Sequence, residues 1–167
     1  MATLFGGFLF SSAFLCTLVT GFISTYAVIV MPGLKKLDDR EFIRAFQATD
    51  AVIQNNQPIF MVIWVGSIIS VLGAMVFASI EPDFFVSGLV IVIGCVYLFG
   101  VQGLTIFVHL PLNQGIQQID VDEMDPKVLC ERRTLFEIRW TRFNRIRAVI
   151  ACVVSASFMM TLGLDLP

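Results

Sequence analysis

Four apolar runs, residues 4–31, 58–80, 84–110 and 148–164, dictate what this chain can become. A hydrocarbon core about 30 Å thick is crossed by a helix of about 17–25 residues, and every run meets that minimum. The chain is 57% apolar with a mean hydropathy of +0.85, above the roughly 45–50% of soluble domains. The expected fold class is an all-α membrane protein, a four-transmembrane-helix bundle forming one integral membrane domain over residues 1–167. The lipid bilayer is its first partner.

No residue from Met1 to Leu34 is charged, and the first run far exceeds a signal-peptide core of about 7–15 residues, so it reads as a helix that stays. All eleven cations fall in two connections. Residues 32–57 hold Lys35, Lys36, Arg40 and Arg44; residues 111–147 hold Lys127 and six arginines; the turn at Glu81, Pro82 and Asp83 holds only acids. Because Lys and Arg are retained on the inner side during insertion, loops 32–57 and 111–147 are expected to be cytoplasmic and both termini outside. The expected location is a bacterial inner membrane. Thirteen acids against eleven bases leave no net basic face for nucleic acid.

The first loop carries an amphipathic helix. After a break at Pro32 and Gly33, Asp38 or Asp39 can cap it, and Phe42, Ile43, Phe46 and Ile53 recur at helical spacing. Such a helix lies along the bilayer surface. It ends in an amide-rich tail, Gln54 to Gln57, in which Asn56 is a candidate ligand contact, and Pro58 opens the second span. Within the spans, small residues recur in stripes: Ser12, Cys16, Thr20 and Ser24; Gly66, Ser70 and Ala74; Gly94, Gly100 and Gly103. They predict close helix contacts, since lipid offers no hydrophobic drive between helices. No span carries Asp, Glu, Lys or Arg in its interior, which argues against an ion-coupled transporter. The acidic stretch 120–126 reads as a solvated connector, and Cys16, Cys95 and Cys152 as packing thiols.

Chemistry is confined to few residues. Gln102, Thr105 and His109 share a helical face, and His109 is the only histidine. It lies about 38 Å along the third helix, at the membrane boundary. One histidine builds neither a multi-histidine metal centre nor a bis-histidine haem site, so no cofactor is predicted; a metal or pigment shared by several copies of His109 in an oligomer is the alternative. Pro111 predicts a kink or helix end, followed by Asn113. Phe136, Trp140, Asn144 and Arg147 form a second face, with Arg139, Arg142 and Arg145 turned elsewhere, toward lipid phosphates or acids. An inward Asn and Arg beside Trp suit a polar oxygen on a flat lipophilic molecule; the plainer reading is an aromatic anchor with snorkelling arginines.

Residues 31–48, from Met-Pro-Gly-Leu-Lys-Lys onward, then Asn56-Gln-Pro-Ile-Phe, resemble the first loop of a family of small four-span membrane proteins of mostly unknown function that includes the anthrone oxygenases of aromatic polyketide biosynthesis. Pro111-Leu-Asn113 followed by Arg139-Trp-Thr-Arg-Phe-Asn-Arg-Ile-Arg147 is similar to its second signature. The resemblance implies oxidation, with O2, of a CH2 group flanked by aromatic rings, without a recognised flavin or metal motif. Asn113, Trp140, Asn144 and Arg147 match; Phe143 stands where Trp is commoner, and His109 where Asn is expected.

Two functions of different kinds follow. In one, a pocket at the cytoplasmic end oxidises a lipophilic aromatic or quinol-like substrate: His109 accepts a proton, Arg147 and Asn144 act with it in catalysis, and Asn113, Trp140, Gln102 and Asn56 bind. In the other, the chain is a non-catalytic scaffold or accessory subunit, or binds a lipid or hydrophobic small molecule. Then Arg147 and Asn144 tie the third loop to carbonyls freed near Pro111, and the outer faces meet copies of the chain or a larger membrane complex.

Overall fold

Helix formation begins in the apolar runs but does not stop where they stop. The computed structural model describes residues 2–165, and the side chains of 4–163. Four helices long and apolar enough to cross a membrane, α1 (Leu4–Leu34), α3 (Pro58–Ala78), α4 (Phe84–Gln117) and α5 (Pro126–Asp165), are joined by the shorter α2 (Asp39–Gln54). No strand occurs among the described residues.

Two boundaries differ from the sequence reading. α4 runs through Pro111 to Gln117, and α5 starts at Pro126 rather than near 148. Hydropathy marks where a helix meets lipid, and α5 stays helical through its basic part because its inward face, Phe136, Trp140, Asn144 and Arg147, is buried while Arg132, Arg139, Arg142 and Arg145 face outward. Pro111 does not break α4. The turn ahead of it, Thr105–His109, is π-helical, with the Leu110 N–H bonding to the Thr105 carbonyl. Widening the turn shifts the hydrogen-bond register just where proline withholds a donor. Further π segments occur at Tyr26–Val30 in α1 and Val96–Gln102 in α4.

The small-residue stripes sit at helix contacts. Ser12 and Cys16 are buried, and the Thr20 hydroxyl meets Ser155 Oγ at 2.8 Å and donates to the Ala151 carbonyl at 3.1 Å on α5. Gly66 and Gly100 lie against Leu15 and Ile150. The tightest approach falls at Gly73, outside the expected stripe: a Cβ there comes within 2.3 Å of the Phe8 ring, itself stacked on Phe77. Cys95 is partly buried, and Cys152 turns to the outer surface instead of packing inside.

α2 forms where expected, with the Asp38 carboxylate accepting from the Glu41 N–H at 2.8 Å. Its apolar face, however, is covered by protein. Phe42, Ile43 and Phe46 pack with Ile116, Val121, Leu129, Phe136 and Trp140 into a core at the basic end of the bundle, separate from the core of the spans around Leu9, Val71, Tyr97 and Phe158. Arg133 fastens it, donating to Asp39 and the Leu37 carbonyl and lying over the Phe42 ring. Rather than being a free connector, the acidic turn after α4 is pinned to α2 by Arg40 and Arg44, which both pair with Asp122.

Candidate functional site

Between the two cores lies a cavity of about 210 Å³ lined from all five helices: Phe22 and Tyr26 of α1, Gln54 of α2, Phe60 and Trp64 of α3, Thr105, His109 and Asn113 of α4, Trp140 and Arg147 of α5, with Asn56 from the α2–α3 turn. Both tryptophans of the chain line it. That volume is below the roughly 300–1,000 Å³ of drug-sized sites and suits a compact molecule.

Two ionisable side chains form its inner end. His109 is 2% and Arg147 8% exposed, and neither ring nitrogen of His109 has a hydrogen-bond partner. The Phe143 backbone lies near the ring without closing a hydrogen bond. Arg147 donates to Thr105 Oγ1 at 2.9 Å and to Asn144 Oδ1 at 2.7 Å, leaves Nε unpaired, and has no carboxylate partner among the described residues. A buried cation held by neutral groups keeps its field for whatever enters.

The aromatic walls are locked by amides from α4. Trp64 Nε1 donates to Gln102 Oε1 at 2.6 Å, and Trp140 Nε1 to Asn113 Oδ1 at 2.9 Å. Gln102 in turn donates to the Tyr97 hydroxyl at 2.7 Å. The Trp140 ring stands edge-on to His109, with centroids 5.1 Å apart.

Of the residues singled out from sequence, His109, Arg147, Asn113, Trp140 and Asn56 meet at this cavity. Asn144 and Gln102 stand behind its wall. Asn144 is fully buried, accepts from Arg147 and donates to the Ile23 carbonyl at 3.3 Å, so the tie reaches α1 and not a carbonyl near Pro111. Asn56 has a structural duty as well, with φ of 57°, the left-handed residue that closes α2. Asn56→Gly should therefore keep wild-type stability, whereas Asn56→Ala should lose roughly 1 kcal/mol in denaturant unfolding, the cost of a Cβ in that region. Any effect of Asn56→Gly on ligand binding then belongs to the missing amide.

Asp50 went unnoticed in the sequence. It is 2% exposed and accepts from Asn113 Nδ2 at 2.7 Å, Gln117 Nε2 at 3.1 Å and Gln54 Nε2 at 3.2 Å. The signal was present: Asp50 falls four residues after Phe46 and three before Ile53, on the apolar stripe of α2, where an unpaired charge has no ordinary reason to be.

The family model for anthrone oxygenase matches residues 56–157. This chain belongs to the anthrone oxygenase family. The match takes in every cavity residue of α3, α4 and α5 named above, while the α1 and α2 contributions lie outside it. No curated protein and no solved structure matches the chain.

Proposed function

We propose that the cavity oxidises a lipophilic aromatic or quinol-like substrate with O2, the ring lying against Trp140 and Trp64 and the reacting carbon facing His109. The observation that carries this reading is the pairing, inside an aromatic cavity, of a buried cation and a buried histidine that find, among the described residues, no counter-ion and no hydrogen-bond partner respectively. Both are costly to maintain unless a ligand completes them.

The chemistry the family implies can be assigned to these groups, with His109, which stands where the resemblance expects Asn, as this chain's own base. His109 takes a proton from the activated CH2; the negative charge spreads to the ring oxygen, where Arg147 stabilises it. The carbanion reduces O2 and forms a C–O bond, and His109 returns the proton to give a hydroperoxide. Loss of water then breaks the O–O and remaining C–H bonds, so CH2 plus O2 becomes C=O plus H2O. Asn144 and Thr105 hold Arg147; Asn113 and Asn56 edge the cavity. Phe22, 41% exposed on the outer surface and 5.5 Å from Phe60, marks an entrance from the lipid. By the positive-inside bias this end faces the cytoplasm, in a bacterial inner membrane.

The test is anthrone oxidation by the purified protein in nanodiscs, against the rate without protein. The expected result is one O2 consumed per anthraquinone formed and one ¹⁸O atom from ¹⁸O2 in the new carbonyl. Anthrone that binds, seen as tryptophan quenching, yet oxidises no faster than in buffer makes the chain a binder and ends the catalytic reading. The tie from Asn144 to Ile23 favours the scaffold as the second reading, and the substitutions treated in the Discussion separate the two.

A further inference from the structure

Asp50 has no part in the chemistry above, is not among the residues lining that cavity and pairs with no cation among the described residues. Its hydrogen-bond donors among the described residues are all amide N–H2 groups, Asn113 at one carboxylate oxygen, Gln117 and Gln54 at the other, with Tyr26 also nearby. A carboxylate that accepts three donors and offers none gives its neighbours no choice of orientation.

That matters at Asn113, whose side-chain amide has two ends of nearly the same size and could sit either way round. With Asp50 on one side, the N–H2 must point to α2 and the oxygen must point away. The oxygen is where Trp140 Nε1 donates, at 2.9 Å. Trp140 then meets His109 edge-on and packs on Tyr26 and Phe46, with centroids 5.6 Å away in each case.

We infer that Asp50 is a positioning residue that sets the Trp140 wall of the cavity through the side-chain amide of Asn113. The inference rests on the proposed reading only for its consequence, that the ring facing a substrate is fixed in advance. Gln117 cannot take up the slack, because its N–H2 also donates to the Gln47 carbonyl at 3.0 Å. When the acceptor-only character at position 50 is lost, Asn113 is the amide that turns over, and its N–H2 then faces the indole N–H.

The test reads the indole, so it does not depend on turnover. In the full-length chain with Trp64→Phe, Trp140 is the single tryptophan, and ultraviolet resonance Raman spectroscopy reports whether its N–H is hydrogen-bonded. The expected result is a bonded N–H in W64F, a free one in W64F/D50N, and a bonded one again in W64F/D50N/N113D. In that exchange the new amide at position 50 donates to the new carboxylate at 113, which still accepts from Trp140, while the amide oxygen at 50 still accepts from Gln117 and Gln54. A free N–H in W64F, an unchanged one in W64F/D50N, or an exchange that does not restore the signal overturns the inference. Should W64F/D50N not fold, the exchange decides alone: a folded protein with a bonded N–H supports the inference, and a free N–H or failure to fold ends it. No anthrone oxidation by the wild-type chain, together with the expected Raman pattern, would instead count against the proposed function and leave this inference standing.

Discussion

Arg147→Met lowers anthrone turnover about 10²–10³-fold, the usual consequence of removing one group that stabilises a developing oxyanion, while the unfolding midpoint in detergent stays level or rises. The second half of this expectation separates the two functional readings. Arg147 is a buried cation held only by Thr105 and Asn144, with Nε unpaired. Methionine keeps the unbranched stem and removes the charge that burial penalises. Thr105 loses little, since its hydroxyl also donates to the Val101 carbonyl at 2.8 Å. Only Asn144 Oδ1 loses its donor, costing about 1–3 kcal/mol against the relief of the charge. If Arg147 were an architectural tie, as the scaffold reading requires, Arg147→Met would lower the midpoint by several degrees and any activity would fall in step with the folded fraction. Full turnover in a folded Arg147→Met protein removes the residue from the mechanism.

His109→Asn is the companion experiment, with an expected loss of about 10²–10⁴-fold in turnover, the contribution of a well-placed proton acceptor. Asparagine is close in shape to the near half of imidazole but does not accept a proton near neutral pH. It is also the residue the family resemblance leads one to expect here, so a fold penalty is not anticipated. His109→Phe complements it: the ring keeps its edge contact with Trp140 and discards two buried nitrogens that bond to nothing. The phenylalanine variant should therefore unfold later than wild type while losing turnover to the same extent. Wild-type rates in His109→Asn would mean that the proton goes elsewhere, and the role of His109 would shrink to shaping the cavity.

Most of the bundle could be read from the chain because lipid imposes one strong rule per span, and the four spans obey it. The Asp38 cap and the inward face from Phe136 to Arg147 were equally legible, since capping and helical spacing are local. The start of α5 was not. Its first two turns mix apolar and charged residues, and without knowing that Leu129 is buried and Arg133 is fastened to α2 and Phe42, nothing local separates a helix from a basic loop. The run of α4 past Pro111 was hidden for a related reason, because a π turn can absorb a missing donor without leaving any mark in composition. The site was half visible. Spacing placed Gln102 and Asn144 on the right faces but could not say that Trp64 and Arg147 stand between them and the cavity. Asp50 was overlooked because its partners, Asn113 and Gln117, are more than sixty residues away along the chain.

α5 is 40 residues long, about 60 Å at 1.5 Å per residue, nearly double the thickness of a hydrocarbon core of about 30 Å. Trp140 and Arg147 sit in its middle stretch, between its basic part and the apolar run that begins at Ala148. The proposed entrance beside Phe22 and Phe60 would thus be pitched at the waterline. Long acyl chains submerge it and short ones lift it among the headgroups, so the host lipid helps decide which solutes ever reach the threshold.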